Sequence, residues 1–277
     1  MKTRRLLLAL MLCAPVSTSL AAPASRIRFE DGTILYADYL ARYWERQDAV
    51  TRGATPDEDA PGNIMPKPER FGGKRQGAGF VEMQHKLETL AARVLEHPAL
   101  SRIRGSSLVW FASFGHERRG PVTHAIPARM ALMAYPIRLA DPQTKRFPDG
   151  TYHSPGEAPS LVITMNDPDQ LDRRAPIGTW NGMTVLRGGH MFALSNNGRP
   201  LYIDGPDGGK VVNPALGDTA RPRSDIQFMT VYVGMASHDA GALTHQRIGA
   251  LGGIGRLVGA MYNSNWRAMM LDANAAG

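Results

Sequence analysis

Cysteine is nearly absent. The 277-residue chain holds one, Cys13, inside an apolar N-terminal leader. Once that leader is removed the chain has no thiol, so it forms no disulfide, carries no cysteine nucleophile and offers no thiolate to zinc. Its length allows a sizeable core without such staples. Long hydrophobic runs are missing too. Beyond the leader no stretch approaches the roughly 20 apolar residues that a membrane-spanning helix needs. A strong charge of one sign is also lacking: 32 Lys and Arg face 25 Asp and Glu, and taking away Lys2, Arg4 and Arg5 of the leader leaves 29 against 25. So small an excess, with no long basic block, leaves no footprint for nucleic acid, and no nucleic-acid partner is expected. There is no internal repeat. Nor is there a phosphate loop, since Gly205-Pro206-Asp207-Gly208-Gly209-Lys210 lacks the spacing and the following helix.

The leader has the three parts of a secretory signal: a basic start, an apolar run over 6–12, and small residues ahead of a cut. Ser19-Leu20-Ala21 supplies small side chains at the two positions a signal peptidase reads, and cleavage after Ala21 is expected. The run is too short for a membrane anchor and Pro15 interrupts it. Leu12 before Cys13 stands where a lipidation signal wants a small residue. Residues 1–21 are therefore expected to be a signal peptide. Residues 22–277 are expected to form a single α+β domain in the periplasm or outside a bacterial cell.

Periodicity predicts helices over 33–50 and 81–97. In the second, Met83, Leu87, Leu90, Ala91, Val94 and Leu95 share one face, and Pro98 ends it. Between them, residues 53–79 are rich in Gly, Pro and charge and read as a long flexible loop. Apolar runs over 107–114 and 130–139 read as buried strands. Shorter strands follow over 161–165, 183–186, 190–194, 201–203 and 226–233. Asn196-Asn197-Gly198 predicts a hairpin between two of them. The stretch 240–271 reads as helical. Its Gly249, Gly252, Gly253, Gly255 and Gly259 cost helix stability, so they predict close packing or a broken helix. Helices at both ends of an antiparallel β-rich centre make an α+β fold.

Candidate chemistry centres on histidine. In a thiol-free exported protein, zinc has only His and carboxylate ligands to choose from, and zinc enters only if the protein is a metal-assisted enzyme. His116 and Glu117 follow the strand over 107–114, at the end where side chains commonly face a cleft, and with His190 they are the catalytic candidates. His124 follows across a loop, His153 and His190 lie in or beside loops of the same β-rich region, and the enzyme reading expects at least three of His116, Glu117, His124, His153 and His190 to point into one cleft. Arg118 and Arg119 suit an anionic group. Trp180, between Gly178 and Gly182, is the best candidate for an exposed stacking ring, whereas Trp110 sits in an apolar run and reads as core. Ser113 mimics a nucleophile elbow, but Phe111 fills the place that the crowded turn reserves for a small residue.

Two function classes follow. One is a non-catalytic binding or interaction module that meets an envelope component or an extracellular ligand. The other is a metal-assisted hydrolase acting on an envelope polymer or external substrate through the cluster around His116.

Overall fold

The computed structural model describes residues 37–47, 52–68, 71–72, 77–115, 124–187 and 191–277. The expected signal peptide lies outside the described residues. So do His116, Glu117, Arg118, Arg119 and His190.

The centre of the fold is an eight-stranded sheet. Its strands in spatial order are β1 (Phe71–Gly72), β2 (Ser106–Phe114), β3 (Ala128–Pro136), β6 (Ser160–Met165), β12 (Phe228–Gly234), β9 (Met191–Ser195), β8 (Met183–Leu186) and β7 (Pro176–Trp180). Every pairing is antiparallel except the short parallel contact of β1 with β2. Two hairpins stand off the sheet: β4 (Lys145–Arg146) with β5 (Tyr152–His153), and β10 (Tyr202–Asp204) with β11 (Lys210–Val212). The helices are α1 (Asp38–Trp44), α2 (Pro56–Asp59), α3 (Ala78–Leu95), α4 (Asp169–Asp172), α5 (Ser237–Thr244), α6 (Gly253–Asn263) and α7 (Trp266–Ala275). This is an α+β fold, as the residue pattern predicts.

Strand side chains alternate between faces, and the alternation shows which face is the core. In β2, Leu108, Trp110 and Ala112 are buried, and in β3 so are Ala128, Met130, Leu132 and Ala134. These residues face the helices. α6 lies across β3, β6 and β12, with α1 packed on it, and α3 packs on α7. The apolar face of α3 that the sequence predicts is buried at Met83, Leu87, Leu90, Ala91 and Val94. Among the described residues, the opposite face of the sheet is only partly covered. Around β8, β9 and β12 a small cluster of Leu171, Leu186, Met191, Ala193, Leu201, Leu216 and Phe228 closes it.

The stretch 240–271 is broken into the end of α5, α6 and α7, as its glycines predict, with Asn265 capping α7 by accepting from the Ala268 N–H at 3.1 Å. Other local expectations change. Asn196-Asn197-Gly198 does not join two paired strands, because β9 pairs with β8 and β12 while β10 pairs with β11. The amides of Asn196 and Asn197 instead donate to the carbonyls of Ile226 (2.7 Å) and Leu216 (2.5 Å), which steers the chain out of the main sheet. The stretch 53–79 also holds more structure than a free loop. It contains α2, closed by a capping box between Thr55 and Glu58, and β1 on the sheet edge.

Candidate functional site

The half of the outer sheet face that the described residues leave uncovered carries an apolar cleft. Its floor is Val109 and Phe111 of β2 and Tyr135 of β3, all on the face opposite the helices. One wall is the strap over 61–67 and the other is the β4–β5 hairpin with Phe147, His153, Pro155 and Gly156. The cavity measures about 720 Å³. That volume lies within the range usual for small-molecule sites, and so does the mix of an apolar lining with a few polar groups.

The strap is placed by backbone hydrogen bonds on both sides. Leu108 N–H donates to the Asn63 carbonyl (2.8 Å) and Met65 N–H donates to the Leu108 carbonyl (3.0 Å). Toward the hairpin, Asn63 N–H donates to the Tyr152 carbonyl and Tyr152 N–H to the Pro61 carbonyl, each at 2.9 Å. At Gly62 a β-carbon would collide with the Ser106 carbonyl, so only glycine lets the strap come this close to β2. Pro66 then lacks the N–H that would extend the pairing.

The hairpin is held by short polar side chains. Buried Ser154 Oγ accepts from the Arg138 N–H at 2.8 Å and lies 2.7 Å from Thr144 Oγ1. At the tip, Pro148-Asp149-Gly150 turns as its composition predicts: Gly150 takes φ +83°, and Asp149 Oδ1 accepts from both the N–H (3.0 Å) and the hydroxyl (2.7 Å) of Thr151.

His153 is the directional group of the cleft. It sits above the cross-strand pair Ser107–Tyr135. Its Nδ1 lies 2.7 Å from Ser107 Oγ, and its ring meets the Tyr135 ring edge-on at 5.1 Å. Burial, helped by the positive charge of Lys145, pulls its pKa below the usual imidazole value, so it is neutral at pH 7. Where the Ser107 hydroxyl donates to Nδ1, the neutral ring carries its proton on Nε2; where Nδ1 carries the proton, the hydroxyl accepts. Ser107 itself is fully buried and so is not an accessible nucleophile.

The other described candidates lie elsewhere. His124 precedes β3, where its Nε2 donates to the Arg221 carbonyl at 3.2 Å. That is the end of β3 opposite Tyr135, more than about 20 Å away at the usual rise per strand residue. His124 and His153 therefore do not converge, because β3 spans the distance between them. Trp180 ends β7 at the far edge of the sheet. It is half-buried, meets Tyr262 edge-on at 5.7 Å and donates from Nε1 to the Tyr262 carbonyl at 3.4 Å, so it packs on the core instead of standing free. Trp110 is core, as expected. Among the described residues no group of three His, Cys, Asp or Glu is placed to hold a metal ion, and no helix is long and apolar enough to cross a membrane.

A second cavity, about 810 Å³, lies beyond Gly156, which lines both. Its lining is charged, with Glu58, Glu157, Asp239 and Arg247 around the glycines that precede α6. The sequence reading missed Phe111, Tyr135 and Phe147. The signal was there in part, because Phe111 puts a large apolar residue at an outward-facing position of β2, where it is 53% exposed. The chain matches no known family model, no curated protein and no solved structure.

Proposed function

We propose that the protein is an exported, non-catalytic binding module whose ligand-binding site is the cleft on the outer face of β2 and β3. The leader supports export. The observation that carries the binding reading is the cleft of about 720 Å³, floored by Val109, Phe111 and Tyr135 and walled by two segments cross-linked through backbone hydrogen bonds. An apolar ligand body displaces water from these rings, and His153 gives it direction.

The test is titration of the protein lacking residues 1–21 with N-phenyl-1-naphthylamine, a neutral apolar dye that brightens when desolvated. One saturable site is expected, lost in Phe111→Asp. Absence of saturable binding, or a site indifferent to Phe111→Asp, overturns the reading. Fractionation of cells making the full chain tests export, which requires the processed form outside the cytoplasm.

A further inference from the structure

The lining of the cleft is asymmetric in charge. Among the described residues its ionisable members are Lys67, Tyr135 and His153, with no Asp or Glu. The Lys67 ammonium stands at the rim with its side chain 64% exposed; it pairs with Glu88 at 3.4 Å, a surface contact worth little. Lys145 lies opposite His153 in the hairpin and adds positive potential at that end. Glu157 belongs to the neighbouring cavity across Gly156. The polar side of the site therefore offers hydrogen-bond donors and positive charge, while its floor offers three apolar or aromatic side chains.

Building on the binding reading above, we infer that the cleft takes a small monocarboxylate with an aromatic or branched aliphatic body. The body stacks among Phe111, Tyr135 and Phe147, and the carboxylate accepts from His153 Nε2 and from Lys67 Nζ. Charge complementarity argues for this occupant. An amine would meet no acidic side chain among the described lining residues, the nearby Glu88 being already paired with Lys67, and a neutral ligand would leave the donors without an ionic acceptor. The volume fits a ligand of about a dozen or more heavy atoms.

The experiment is isothermal titration of the protein lacking residues 1–21, at pH 7 and low salt, with three probes that share one body: 4-phenylbutanoate, 4-phenylbutan-1-ol and 4-phenylbutylamine. The carboxylate is expected to bind about ten-fold or more tightly than the alcohol, with the amine weakest. In the double variant Lys67→Gln, His153→Gln the carboxylate should fall to within about three-fold of the alcohol, whose own affinity should barely change. Equal binding of all three probes, or preference for the amine, overturns the inference and leaves the cleft standing as a binding site. Failure of every probe to bind overturns both. A carboxylate preference that survives the double variant also overturns the inference, because it places the anion elsewhere.

Discussion

Gly259 of α6 lies against the indole of Trp44 in α1, so close that a β-carbon at 259 would overlap Trp44 Cδ1 and Cγ. One turn earlier on the same helix, Arg256 lays its guanidinium over that ring, 5.0 Å from the centroid, and the Trp44 Nε1–H donates to the Ala250 carbonyl at 3.1 Å. The glycine is what lets α1 seat on α6. Gly259→Ala should therefore destabilise the protein by about 1–3 kcal/mol, although alanine is the better helix former. Urea denaturation measures this. In a Trp44→Leu background the same substitution should cost about 1 kcal/mol or less, because the smaller side chain yields. A higher midpoint for Gly259→Ala would mean that the two helices do not touch here.

Asn166 ties three segments together from a buried position with φ +55°. Its amide donates to the carbonyls of Ile126 (3.1 Å) and Asp225 (2.8 Å), and its Oδ1 accepts from the N–H of Gln227 at 2.9 Å. Asn166→Ala strands buried backbone groups and puts alanine, which tolerates the left-handed region less well than asparagine, at φ +55°. The expected loss is about 3 kcal/mol or more, with Asn166→Asp only partly milder because it also loses both donors. Thermal or urea unfolding of the pair decides it. A loss under about 1 kcal/mol in the alanine variant would show that the network is dispensable.

Acid stability should depend on His97. Burial pushes its imidazole down to about 4 from 6.5, and its Nδ1 accepts from the Ala99 N–H at 3.1 Å. A base whose folded-state pKa lies below its unfolded value gains a proton on unfolding. The protein should thus lose stability as pH falls from 6.5 toward 4, and this contribution is level above and below that window. His97→Gln should flatten the limb by about 2–3 kcal/mol relative to the native chain. Parallel stability curves for the two proteins between these pH values would rule His97 out as the cause.

The tautomer of His153 is directly observable. Long-range nitrogen–proton correlation spectra at pH 7 should show a neutral ring protonated on Nε2, with Ser107 donating to Nδ1 at 2.7 Å. Ser107→Ala removes that partner and should mix the tautomers. A native ring found protonated on Nδ1 would turn the acceptor side of the imidazole into the cleft and remove one of the donors assigned to it.

Phe111 separates binding from folding. Its ring is 53% exposed, so Phe111→Asp should shift stability by no more than about 0.5 kcal/mol while abolishing uptake of the neutral dye. A variant that unfolds would show that the ring is a structural contact and not the floor of a site.

Much of the architecture was legible because burial writes itself into local pattern. The apolar runs over 107–114 and 130–139 became β2 and β3, the short strand pattern over 161–165 became β6, the alternation over 226–233 became β12, and the three- and four-residue spacing of Met83 to Val94 became the buried face of α3. β7 was not legible. Pro176 and Gly178 argue against a strand, and they are tolerated because β7 is an edge strand with an irregular register between them. The hairpin joining it to β8 turns on Asn181 and Gly182, both with positive φ (46° and 75°), while the more conspicuous Asn196-Asn197-Gly198 spends its amides on distant carbonyls. Turn chemistry records that the chain bends. It does not record which strand it then meets.

The sequence by itself determined the class of fold, the lack of thiol chemistry in the chain after residue 21, the face of α3 that is buried and the expectation of export. All of these follow from composition or from periodicity along the chain. Only the tertiary structure decided that His153 stands over Ser107 and Tyr135 while His124 lies at the other end of β3, and that the strap over 61–67 encloses Phe111. The physical reason is that a cleft is made by residues brought together across strands and loops. Their hydrogen bonds and ring contacts span separations along the chain that local patterning does not encode.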